Sequence, residues 1–171
     1  MNENNIDNID LWTQEILDFT KKSSLYEEYE GDRYEKLIFM AENTKEVKIV
    51  QGLIRCLEYE LPGMDQTIYG VLATIDPLIY YTALFKLFPW IIQDVDSRNT
   101  FAWVLDRQVN YKFTVDEWEE IYSLAKKYLS KSDLEGIMIS YIKGGLIEDQ
   151  DYPYPQFYEL FQKLLKEKSA S

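Results

Sequence analysis

Carboxylates are the groups in this chain best placed to trade protons or meet a cation, and they cluster. Glu27, Glu28 and Glu30 form one group, and Asp116, Glu117, Glu119 and Glu120 another. Two carboxyls facing each other across a cleft could serve as general acid and base. Set on the outside of a helix, the same residues are a solvated face or a contact surface for a basic partner. In the second cluster, Asp116 and Glu117 also suit the positive end of a helix dipole, which needs no catalytic role. A third group, "EDQDYPYPQFYE", sets Glu148, Asp149 and Asp151 beside Tyr152 and Tyr154. Tyrosine favours interfaces because it offers rigid area and a hydroxyl. Alternatively, this is a helix-connecting loop whose rings fold back onto the core.

Other chemistry is poorly supplied. The chain has no histidine, which removes the commonest general base and transition-metal ligand. The single cysteine, Cys56, has no histidine to activate it and no second thiol to pair with. It reads as a small apolar residue at a helix interface. No phosphate-binding glycine loop, dinucleotide fingerprint, nucleophile elbow or calcium loop is present. The expectation is a non-enzymatic protein with no metal and no cofactor.

The 171 residues suit one domain, 1–171, with a sizeable core. Thirty acids against 18 bases give a net charge of -12, which disfavours nucleic acid and favours a basic partner or solubility alone. Residues 1–30 hold 8 acids and 2 bases, so the charge is uneven. One cysteine fits a reducing cytoplasm. The N-terminal "MNENNIDNID" lacks the basic and apolar regions of a signal peptide.

The elements that must position these groups are helices. Ile9, Trp12, Ile16 and Phe19 recur at three and four, as do Tyr34, Leu37, Ile38 and Ala41 after an Asp32/Glu35 start. Residues 24–31 read as a loop. Val47, Val50, Leu53, Ile54 and Leu57 form a third stripe, stopped at Pro62-Gly63. "MDQTIYGVLATI" is a shorter helix, and "SRNTFAWVLDRQVN" another. Thr114 and Glu117 form a capping box before the stripe Val115, Trp118, Ile121, Tyr122, Ala125, Tyr128 and Leu129. Ser132 and Glu135 repeat the box for a helix ending at Gly144-Gly145. Phe157, Leu160, Phe161, Leu164 and Leu165 mark the last. Glycine (7) and proline (5) are too scarce for an all-β protein. The expected class is all-α, with about eight or nine helices stacked as antiparallel pairs in a bundle or short HEAT-like solenoid.

One stretch stands apart. Between Asp76 and Asp94 lie five aromatic rings and one charge, Lys86. Asp76-Pro77 starts a helix, and Lys86 and Pro89 interrupt what would have to be about 20 unbroken apolar residues in a membrane span. A core helix is expected instead, apolar all round and packed on two sides, with Leu84 and Leu87 inside and Pro89 kinking or ending it.

Residues 68–110 carry a pattern: a helix with Gly70 that closes on the acidic Asp76, an apolar helix holding Tyr80, the acidic Asp94, a helix with Trp103, and Asn110. In this the chain resembles the all-helical immunity proteins encoded beside bacterial polymorphic toxins of the contact-dependent inhibition type. The likeness spans about a quarter of the chain. It departs from the family at Asp76, where Glu is frequent, and at Pro77, which is outside the pattern. The resemblance implies a cytoplasmic protein that binds and neutralises one cognate toxin by occlusion. Many such toxins are nucleases with basic surfaces, which an acidic inhibitor can meet. The alternatives are a helical adaptor or regulatory module without a toxin, a DNA mimic, and a carboxylate enzyme. The candidate partner-binding residues are Asp94 and Asp96 after the apolar stretch, Asp116, Glu119 and Glu120, and Glu148, Asp149, Asp151, Tyr152 and Tyr154. The partner expected is a basic toxin domain, with neither nucleic acid nor membrane; oligomeric state stays open.

Overall fold

The computed structural model describes residues 6, 8–21, 28–57, 64–91, 105, 113–144 and 154–170; at 28–31, 64, 65, 90, 140–144 and 154 it describes backbone only. Among the described residues there are eight helices and no strand, so the protein is all-α. They are α1 (Ile9–Lys21), α2 (Glu28–Phe39), α3 (Val47–Cys56), α4 (Met64–Thr74), α5 (Pro77–Ile91), α6 (Val115–Tyr128), α7 (Lys131–Gly144) and α8 (Tyr154–Ser169). The chain divides into two compact units, Met1–Ala83 and Leu84–Ser171, with the division inside α5.

In the first unit α1 packs on α2 and α3, and α4 on α2 and α3. The stripes written in the sequence are the buried faces. Trp12, Ile16 and Phe19 of α1, and Tyr34, Leu37 and Ile38 of α2 with Ala41 beyond it, are all buried. The α1–α3 approach is close because Gly52 has no side chain: a Cβ there would meet Trp12 Cζ3 at 3.2 Å and Thr13 Cγ2 at 3.4 Å. Trp12 is only 4% exposed, and its ring N–H donates to the Leu37 carbonyl at 3.1 Å, so burial leaves no orphaned donor. Deeper in, Thr20 donates to the Ile16 carbonyl and receives the Tyr34 hydroxyl at 2.8 Å. Cys56 is buried beside them, and burial raises its thiol pKa, so it behaves as the small core residue its sequence context suggested.

Helix starts follow local chemistry, with two corrections. Asn8 accepts from the Leu11 N–H, and Asp76 accepts from the N–H groups of Leu78 and Ile79. Helix α2 begins at Glu28, not Asp32, so residues 28–31 are helical where a loop was expected. The start of α7 is capped by Ser130 with Asp133, not Ser132 with Glu135. The Asp133 carboxylate accepts from the Ser130 N–H at 2.7 Å, and Ser130 Oγ accepts from the Asp133 N–H at 3.2 Å. Aspartate closes the reciprocal pair at the same spacing that glutamate would, one methylene shorter.

Helix α5 is not buried all round. Tyr80, Tyr81, Ala83, Leu84, Phe85, Phe88 and Ile91 are buried, whereas Lys86 and Pro89 are exposed and Thr82 and Leu87 half-buried. Leu87 is thus a boundary residue and Leu84 a core one. Pro89 sits within the last turn and does not end the helix, which runs on to Ile91; the proline forgoes the one backbone bond its missing N–H would have made. Among the described residues no helix is long and apolar enough to cross a membrane. The expected helix over residues 97–110 lies outside the described residues except for Leu105, which is helical and buried.

In the second unit α8 packs on both α7 and α6. Phe157, Leu160, Phe161 and Leu164 bury the inner face of α8, and Ile121, Ala125 and Leu129 that of α6. Rings form a continuous chain: Phe85 and Phe88 stack, both meet Phe161 edge-on, Phe161 stacks on Phe157, and Phe157 meets Trp118 edge-on at 4.9 Å.

Candidate protein-binding groove

The outer end of that aromatic chain is where the second unit opens. The sequence stripe of α6 predicts seven inward residues, but only Ile121, Ala125 and Leu129 are buried. Trp118, Tyr122 and Tyr128 are half-buried, and Val115 is 74% exposed. The reason is partner geometry. A stripe wide enough to be covered on two sides is covered by α8 on one, and its flank stays open.

The open flank is one wall of a groove of about 590 Å³. From α6 come Val115, Trp118, Glu119, Tyr122 and Ser123; from α8 come Gln156, Glu159, Leu160 and Lys163. Helix α6 is fixed at its start by the predicted capping box: Thr114 Oγ1 accepts from the Glu117 N–H, and the Glu117 carboxylate accepts from the Thr114 N–H at 2.7 Å. Trp118 is braced by Phe113 and Phe157, each with ring centres 4.9 Å away and tilted 69°. The groove floor is therefore rigid aromatic surface.

Charge is arranged around it. Lys163 lies over the Tyr122 ring at 4.4 Å. The Tyr122 hydroxyl donates to the Glu167 carboxylate, which also receives Lys126 at 3.0 Å. The hydroxyl is pushed up to about 12, by burial first and then by the Glu167 carboxylate it bonds. The bond from Tyr122, then Lys126, holds Glu167 below the usual carboxylate range. By contrast, Asp116, Glu119, Glu120 and Glu159 are exposed, and their carboxylates make no ion pair among the described residues.

Of the ten sequence candidates, Asp116, Glu119 and Glu120 share the exterior of α6, and Glu119 lines the groove. Tyr154 is the first residue of α8 and not part of a loop. Asp94, Asp96, Glu148, Asp149, Asp151 and Tyr152 lie outside the described residues, as do Trp103 and Asn110 of the family-like pattern. Sequence reasoning missed Val115, Trp118 and Tyr122 as surface, and Glu159 and Lys163 altogether. A usable signal was there: the α6 stripe is unusually wide, and Glu159 and Lys163 fall at spacing four on the polar side of the α8 stripe. Among the described residues no group of three or more His, Cys, Asp or Glu could hold a metal ion. Compared with protein-family models, curated proteins and solved structures, the chain finds no match.

Proposed function

We propose that this protein is a non-catalytic binding module that neutralises a basic toxin domain by covering it, as an immunity protein does. The observation that carries this is the exterior of α6, where exposed Asp116, Glu119 and Glu120, without an ion pair among the described residues, adjoin an open aromatic groove. Exposed carboxylates on one helix face can meet lysine and arginine of a partner. They raise the encounter rate, while apolar area beside them gives the complex its lifetime. A net charge of -12 extends the same attraction to long range.

Co-expression with the product of the adjacent upstream gene, in cells that this product poisons, tests the proposal. Growth should be restored, and the two proteins should co-elute in size-exclusion chromatography. An unprotected culture with no complex would leave the chain as a helical adaptor without a toxin. As a quantitative check, Asp116→Lys with Glu120→Lys should slow association at low salt, with the deficit shrinking as salt rises.

A further inference from the structure

We infer that the α6–α8 groove is a docking slot for a protein segment presenting one bulky apolar side chain flanked by lysine or arginine. The partner's identity as a toxin rests on the reading above; the chemistry of the slot does not. Three features specify that chemistry. The apolar part of the lining is preformed: Val115, Trp118 and Leu160 come from two helices, and Trp118 packs edge-on against both Phe113 and Phe157. An aromatic surface fixed in advance binds an apolar anchor without first losing its own freedom. The volume, about 590 Å³, lies inside the range of clefts that bury a drug-sized ligand, which leaves room for an apolar anchor together with the residues beside it.

Each wall carries an exposed carboxylate. Glu119 of α6 and Glu159 of α8 line the slot, exposed and without an ion pair among the described residues. Lys163, the cation on the same wall, lies over the Tyr122 ring. Asp116 and Glu120, exposed on the helix that carries Glu119, add negative charge nearby. An anchor followed by a cation suits the apolar lining and the carboxylates together, whereas an acidic segment would meet Glu119 on one wall and Glu159 on the other. The expected mode is a segment laid along the groove with its anchors pointing in.

Panning a library of short random peptides against the full chain tests this. Enriched peptides should pair Leu, Phe, Met or Trp with a nearby Lys or Arg. Their affinity should fall about tenfold or more in Glu119→Lys/Glu159→Lys and in Val115→Asp, with Glu135→Lys on α7 unchanged as the control. Circular dichroism melts exclude unfolding as the cause, since all these positions are exposed. Acidic enriched peptides, no enrichment, or affinity indifferent to the groove variants would overturn the inference. Toxin co-expression separates the two failures. Groove variants that protect cells as well as the parent would sink the slot and spare the immunity reading. Groove-dependent peptides with no protection by the parent would do the reverse.

Discussion

The α1–α3 contact and the α6–α8 contact begin from similar sequence patterns and end differently. Trp12 and Trp118 each sit on an apolar helical stripe. Around Trp12 the stripe is closed: Gly52 lets α3 approach, the ring is 4% exposed, and its N–H has a carbonyl. Around Trp118 it is half open: the partner helix presents Glu159, Leu160 and Lys163, and Val115 faces solvent. Closure comes from a missing side chain on the facing helix, and openness from a stripe that α8 covers on one side. The closed contact serves stability and the open one is available to a partner.

That contrast can be broken most directly by removing the two rings. Trp12→Ala should cost about 3–5 kcal/mol, because a buried ring leaves a cavity and a hydrogen bond is lost. Trp118→Ala should cost about 1–2 kcal/mol, since a half-buried ring gives up less area along with its edge contacts to Phe113 and Phe157. Urea unfolding measures both, and equal losses would make Trp118 a core residue.

Within α5 the same logic sets Leu84, fully buried, against the half-buried Leu87. Leu84→Ala should cost about 2–5 kcal/mol and Leu87→Ala about 1 kcal/mol. A Leu87 loss in the upper range would show that the neighbours of α5 cover more of it than its exposure indicates.

Glycine sharpens the picture on a smaller scale. Gly52→Ala should destabilise by about 1 kcal/mol, because Trp12, buried and tied to the Leu37 carbonyl, would have to shift by a few tenths of an ångström, which outweighs the helix-propensity gain. Gly70 on α4 has nothing within 4 Å of the place where a methyl group would stand, so Gly70→Ala should stabilise by about 0.5–1 kcal/mol. Thermal melts give both signs, and a stabilised Gly52→Ala would mean that the α1–α3 contact is looser than its distances.

The least costly change concerns the groove's polar end. Glu167 has a lowered pKa in the fold, so its contribution is complete above the ordinary carboxylate value and fades as pH falls through the lowered one. Tyr122 has a raised pKa, so its contribution is complete below about 10 and fades as pH rises toward about 12. Glu167→Gln should therefore flatten the acid limb of a melting-temperature profile, and Tyr122→Phe the alkaline limb. Unchanged limbs would mean that this network does not form in solution.

Periodicity, capping residues and composition were enough to establish an all-helical chain. Helix spacing and the Thr114/Glu117 and Asp76 starts are local properties, written within a few residues of where they act. They also placed Asp116, Glu119 and Glu120 on the exterior of α6, since residues beside a stripe point away from it. Burial of Trp12 against exposure of the Trp118 flank was not legible. It depends on how far the facing helix covers the stripe, closely where Gly52 admits Trp12 and on one side only where α8 meets α6, and the facing residues are distant in sequence. The choice of Asp133 over Glu135 as the α7 cap turned on where the preceding helix released the chain. A stripe states that a helix has a face to bury; only its neighbours in three dimensions decide how much of that face is covered, and the remainder is the surface left for a partner.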